Sequence, residues 1–295
     1  MPNKDYNPFS WLVSLLHIHH ESVFVKLKYF LLFMVLYALI ANLIDYKFDI
    51  NKTSSQLGEF HLLFSFCLSI IIVFRINVAY NRWWEGRGLW GQLVNISRNL
   101  AIKMHSFVGV QDSQPFLGLL QNFPTLLKHH LRKELNYAQQ LMDKLGISYQ
   151  TDDHLPSLLI HHLQTETNSL RQADKLSFEQ FMSLDKLISE LTDVLGGCEK
   201  IVNTPVPRGF NIFARFALLF YMLIFPFGWV DQFGIFIVPI LIVLIYILLG
   251  LEMMAEEMEA PFATAHNCLP LDDLAQRISL NIAQISQFKL KSPPS

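Results

Sequence analysis

Phe66, Ile70 and Phe74 stand four residues apart in the sequence. Four residues turn an α-helix through about 400°, so these side chains form one nearly axial stripe. Ser65, Cys67 and Ser69 lie between them, and small residues let helices approach closely in a bilayer. Facing a shared axis, a ring of such stripes makes a hydrophobic constriction that gates by dewetting. Facing lipid or a neighbouring helix, the same stripe is ordinary packing. Spacing alone does not separate the two.

Other chemistry-bearing residues are sparse. Eleven histidines are many, but His17, His19 and His20 lack a Glu or Cys ligand set around them. Helical metal sites present ligands at i and i+4 or i+3, whereas the adjacent pairs His129–His130 and His161–His162 point to different helix faces. No metal and no cofactor are expected. Cys67, Cys198 and Cys268 are odd in number and widely spaced, so neither a disulfide framework nor a CxxC metal pair is present. Walker, GxSxG, GxGxxG and HExxH motifs are missing, which leaves no enzyme reading. Asp152–Asp153 and Asp272–Asp273 read as helix N-caps.

Three charges stand next to long apolar runs: Arg215, and Glu252 with Glu256 one turn further on. A lone charge at membrane depth is costly, so Arg215 is expected to pair with one of these carboxylates as a structural clamp. Arg82 and Glu85, at i and i+3, are expected to pair as well.

These residues must be positioned by membrane helices. Hydrophobic residues make up 52% of the 295 and charged residues 16%, against roughly 25% charged in soluble chains. Four apolar runs stand out: Tyr29–Ile44, Leu62–Phe74, Phe216–Val230 and Phe233–Leu251. A spanning helix needs about 20 such residues. The fourth run reaches that nearly alone, and the others draw on their flanks. Between the second and third runs lies a mostly polar region, Arg75–Gly209, with helical spacing in Leu89, Leu93, Ile96, Leu100 and Met104 and again in Phe181, Leu184, Ile188, Leu191 and Leu195. Pro124 is expected to interrupt the Leu-rich stretch Phe116–Leu145, and Gly196–Gly197 to mark a stop or a close contact. The tail from Gln287 reads as frayed. No short apolar core followed by a cleavage site marks a signal peptide.

The middle region holds fourteen Lys plus Arg, against two in the first short linker and none in the second. The positive-inside bias puts it, and both termini, in the cytoplasm. Net charge is −2, so no basic field holds nucleic acid. The division expected is residues 1–80, carrying an N-terminal helix and two membrane helices with the stripe on a helix of about 58–80; a cytosolic helical region, 81–209; two more membrane helices, 210–256; and a cytosolic C-terminal segment, 257–295. The fold class is all-α.

After the stripe the sequence runs Phe74-Arg75, Asn77, Tyr80, Arg82, Trp83, Glu85, Arg87, then Leu89-Trp90-Gly91. This pattern resembles the bestrophins, particularly their bacterial branch. Two further stretches are similar to that family: Gly197-Cys198-Glu199-Lys200-Ile201-Val202-Asn203-Thr204-Pro205-Val206-Pro207, and Ala255–Phe262 with Leu269-Pro270-Leu271-Asp272. Three separated motifs in order extend the resemblance over roughly residues 10–285.

The resemblance implies a homopentameric channel in the cell (inner) membrane, with four membrane helices per subunit and a helical cytosolic region. The family's neck of three hydrophobic rings falls on Phe66, Ile70 and Phe74, and its cytosolic aperture on Val206. The partners implied are small inorganic ions, the lipid bilayer and further copies of the chain. Animal bestrophins pass chloride while some bacterial ones favour monovalent cations. The family name points to a chloride-type channel. The rival reading is a membrane-anchored scaffold whose cytosolic helices dock a protein.

The chain also departs from the family. Animal bestrophins carry an acidic Ca²⁺-binding run after the Pro-Phe. Here the stretch reads Ala263-Thr264-Ala265-His266-Asn267-Cys268, which cannot supply six to eight oxygen ligands. No Ca²⁺ gating is expected. Ala263 and Cys268 replace the usual bacterial Gly and Asp, which puts the local turn in question.

Overall fold

The computed structural model describes residues 22–48 and 51–288, with side chains from 27–48 and 55–288. The clustered histidines His17, His19 and His20 lie outside the described residues. Helices follow one another as α1 (Ser22–Phe48), α2 (Asn51–Leu131), α3 (Leu135–Lys144), α4 (Leu155–Gln172), α5 (Phe178–Asn203), α6 (Arg208–Phe233), α7 (Ile237–Glu259) and α8 (Leu271–Ile285). No strand occurs among the described residues, so the fold is all-α.

The chain forms two compact units. The first takes the residues up to Tyr80 together with Val206–Glu259, and the second takes Asn81–Pro205 with the residues from Ala260 onward. The division falls a few residues from the sequence-based one. Val206–Gly209 and Glu257–Glu259 go with the apolar helices, whose ends at Arg208 and Glu259 they adjoin or form.

In the first unit α1 packs on α6 and α7, and α6 packs on α7. Met34, Ala38, Leu68, Met222, Leu241 and Ile245 fill the space between them. Gly58 of α2 meets Gly228 of α6 so closely that a Cβ on Gly58 would stand 2.8 Å from the Gly228 carbonyl oxygen. Among the described residues three stretches are long and apolar enough to cross a membrane: Leu27–Phe48, Ser55–Leu131 and Arg208–Glu259. The last holds both α6 and α7, divided by a 3₁₀ turn at Gly234–Phe236. Gly234 has φ of 51° there, which a Cβ would strain. Leu32, Phe33, Leu36, Ile40 and Leu43 remain exposed on α1, a larger apolar face than water tolerates. The chain is a membrane protein.

The second unit is built on the later part of α2, from Asn81. Trp90, Leu93, Ile96, Leu100 and Met104 recur every third or fourth residue and are buried with Phe116, Leu120, Leu163, Leu191 and Ile278. Helix α5 opens with a reciprocal cap. Ser177 Oγ accepts from the Gln180 amide at 3.2 Å, and Gln180 Oε1 accepts from the Ser177 amide at 3.0 Å, satisfying two orphan donors.

Several sequence-based expectations are corrected. The stripe-bearing helix does not end near residue 80 but runs on through α2. Its non-helical break is Gly109, with φ 81° and ψ −179°. That conformation is open to glycine alone. Pro124 does not interrupt the helix. An interior proline costs about 3 kcal/mol, and the buried Leu120, Phe123, Leu126 and Leu127 around it outweigh that by packing. Gly196 and Gly197 lie inside α5. Gly197 is a contact rather than a stop, since a Cβ there would stand 2.7 Å from a Leu89 methyl.

Neither acidic pair caps a helix. Pro270 takes the cap position of α8, so Asp272 and Asp273 lie in its first turn, where the helix dipole favours them. Asp153 accepts from the Gln150 amide at 2.7 Å, within a turn, and His154 takes the cap position of α4. In the Ala263–Cys268 turn the Ala263 amide donates to Ala260 O at 3.1 Å, the Cys268 amide to Ala265 O at 3.1 Å, and Cys268 Sγ to Ala260 O at 3.3 Å.

Candidate functional site

One face of α2 is packed and the opposite face is open. Gly58, His61, Leu68, Arg75 and Ala79 are buried along the first. Phe66, Ile70 and Phe74 stand on the second, 70%, 45% and 61% exposed. The helix period produces this division, because the stripe residues sit about half a turn from the buried series. The intervening hydroxyls are not offered outward. Ser65 Oγ donates to Leu62 O at 2.6 Å and Ser69 Oγ to Ser65 O at 2.8 Å, so both are spent on their own helix. What the open face presents is aromatic and aliphatic surface.

Aromatic packing fixes the buried face. The His61 ring stacks on Tyr221 at 3.9 Å. Its Nδ1 accepts from Trp229 Nε1 at 3.2 Å. Together with the Gly58–Gly228 approach, this sets the rotation of α2 about its own axis.

The end of the stripe is anchored by charge. Arg75, 2% exposed, donates through Nε to Glu252 at 3.3 Å and through Nη1 to Glu259 at 2.7 Å. Arg215 reaches both of its candidate carboxylates, Glu252 at 3.0 Å and Glu256 at 2.8 Å. Asn211 Nδ2 donates to both oxygens of Glu259, at 3.3 and 3.2 Å. Glu252 is thus shared by two guanidinium groups. Arg75 Nη2 lacks a partner and lies beside a cavity of about 10 Å³ lined by Ile72, Ala214, Leu218 and Leu248, room for about one water. Nothing local in the sequence marks Arg75 and Glu259 as partners, 184 residues apart. Arg75 closes an apolar run, as any interfacial cation does, and only its burial distinguishes it.

In the second unit the expected Arg82–Glu85 pair gives way to different partners. Arg82 Nη2 donates to Ile201 O at 2.6 Å and Nη1 to Thr204 O at 2.7 Å. The last carbonyls of a helix lack intrahelical donors, and a guanidinium at that end is favoured by the dipole. Glu85 instead takes Lys200, at 2.6 Å. Arg82 therefore holds the end of α5 two residues before Pro205-Val206-Pro207. Within that segment Val206 is buried and the prolines on either side are exposed. The Val206 side chain turns inward in the single chain.

Local spacing separates the histidines, and the tertiary fold regroups them. His129 Nδ1 meets Glu134 at 2.6 Å. His130 Nε2 and His154 Nε2, 24 residues apart, each lie 2.7 Å from the same Glu199 oxygen. Nothing in the sequence marks this convergence.

Comparison with known proteins agrees with these motifs. Residues 4–284 match the family described as Bacterial/Fungal Bestrophin protein. A voltage-dependent anion channel-forming protein of Nostoc sp. is 31% identical over 253 residues, 82% of this chain and 81% of that one. A protein of the same description from Salmonella typhi is 29% identical over 286 residues, 93% of this chain and 91% of its own. Among solved structures, a variant of a bacterial bestrophin homologue from Klebsiella pneumoniae superposes with a TM-score of 0.77 at 26% identity, covering 88% of this chain and 99% of its own. The chain belongs to the bacterial and fungal bestrophin family.

Proposed function

We propose that this chain assembles as a homopentameric channel passing small monovalent anions across the inner membrane, with its termini and second unit in the cytoplasm. The observation that carries the proposal is the open stripe of Phe66, Ile70 and Phe74 on α2, with every nearby hydroxyl turned back into the helix. Five such faces around one axis make a neck that binds no ion strongly and passes ions when wetted. Anions are favoured because the relatives from Nostoc sp. and Salmonella typhi are named for anion channels, and because the positive edges of aromatic rings turned toward an axis attract negative charge. A second constriction forms at Pro205-Val206-Pro207, positioned by Arg82. With Val206 turned inward, the exposed prolines line it. The buried charges serve as a structural clamp, and the chain is a channel rather than an enzyme.

The test is the reversal potential of purified protein in planar bilayers under a potassium chloride gradient. Reversal near the chloride equilibrium potential supports the proposal. Reversal near the potassium potential refutes anion preference. No current from correctly folded protein favours an anchored scaffold.

A further inference from the structure

A different cluster, in the second unit, has the composition of a metal site. His130 lies in the last turn of α2, His154 at the cap of α4, and Glu199 in the penultimate turn of α5. Their ligand atoms all lie within 4.8 Å of one another. One Glu199 oxygen faces both imidazole Nε2 atoms at 2.7 Å.

We propose that His130, His154 and Glu199 bind a divalent cation of the zinc class, fastening the ends of α2 and α5 to the start of α4. Two imidazoles and a carboxylate are the donor set that zinc takes in sites with one open position. Zinc bonds of about 2.0–2.2 Å at tetrahedral angles place ligand atoms about 3.3 Å apart. The two 2.7 Å contacts therefore need to open by only about half an ångström. The rings meet edge-on, with centroids 4.6 Å apart and planes at 76°, and both Nε2 atoms face the one Glu199 oxygen. His154 Nδ1 is held by Ser157 Oγ at 2.7 Å. Such an outer contact fixes the ring and leaves Nε2 for the metal. A pocket of about 430 Å³ opens beside the cluster, lined by His130, His154, Lys133, Asp152 and Asp153 among others. It opens His130 and His154 to water, with Asp152, Asp153 and Lys133 also on its wall.

The alternative is that the three groups are an ordinary hydrogen-bonded cluster with no affinity for metal. The distinction is made with tag-free, full-length protein in detergent, stripped with EDTA and titrated with zinc chloride by calorimetry. One zinc per chain is expected. Glu199→Gln and His154→Gln should each weaken it by roughly tenfold or more, with gel-filtration profile and helical content unchanged. A variant with His17, His19 and His20 all changed to Gln should bind as the parent does. Cobalt in place of zinc should give the intense visible bands of four-coordinate geometry, lost in Glu199→Gln. Absence of zinc binding overturns the proposal. So does binding that survives either cluster substitution, or binding that disappears with the N-terminal histidines.

Discussion

Arg75→Gln is expected to be among the most damaging single changes in the first unit, and the geometry sets its scale. The guanidinium is 2% exposed and lies 3.3 Å from Glu252 and 2.7 Å from Glu259. Removing one member of a buried pair costs about 3–5 kcal/mol, chiefly by stranding the partner charge. Here neither carboxylate is wholly stranded, since Glu252 keeps Arg215 and Glu259 keeps Asn211. The lower end, about 3 kcal/mol, is therefore expected. At about 2–4 °C per kcal/mol this is a fall of about 6–12 °C in the thermal midpoint. Arg215→Gln is the internal control. Arg215 shares Glu252 but is 47% exposed, so its loss should cost about 1 kcal/mol or less. The assay is thermal unfolding in detergent, followed by intrinsic fluorescence and by the fraction remaining on gel filtration. Equal losses for the two variants, or a larger loss for Arg215→Gln, would refute the assignment of Arg75 as the buried anchor.

Three further outcomes are expected. Burial, followed by the charges of Glu199 and Glu85, pushes the Cys198 thiol up to about 12, so it should resist maleimide at pH 8 until denaturant is added; rapid labelling of Cys198 in the native protein contradicts this. The Lys128 ammonium, and after it Arg132, hold the Asp272 carboxyl below the usual carboxylate range. A depressed folded pKa adds stability above the unfolded value and loses it as pH falls through the folded one. Asp272→Asn should therefore lower stability at neutral and alkaline pH by a constant amount and flatten its fall below about pH 4; an unaltered acid limb argues against the pairing. Gly58→Ala puts a methyl 2.8 Å from the Gly228 carbonyl oxygen and should cost about 1–3 kcal/mol by overpacking. Gly88→Ala, where nothing lies within 4 Å, should cost little; similar melting of the two would contradict a tight α2–α6 crossing.

Much of this molecule is legible in its sequence, and the illegible parts share a cause. The apolar runs give α1, α2, α6 and α7, because hydropathy and helical period are local properties. The family is legible because its motifs lie at fixed chain positions from Phe74 to Gly91, around Pro205 and around Leu269. Partners set by tertiary proximity are not legible. Arg82 has a carboxylate three residues away and still goes to carbonyls about 120 residues on, because a helix end concentrates unsatisfied acceptors there. Arg75 reads as a boundary cation until the fold buries it. His130 and His154 come together only where α2 ends and α4 begins. Pro124 reads as a breaker because its intrinsic cost is visible in the sequence and the packing that outweighs it is not.

The stripe on α2 carries the functional reading, and its most direct test is chloride flux through proteoliposomes. Parent protein and the triple variant Phe66→Ala, Ile70→Ala, Phe74→Ala are compared at equal reconstituted protein. If the stripes of several copies form the proposed neck, trimming these large apolar side chains widens and wets it, and a clear rise in flux per chain is expected. Flux unchanged in the folded variant would put these side chains against lipid or protein, and the conduit would have to lie elsewhere.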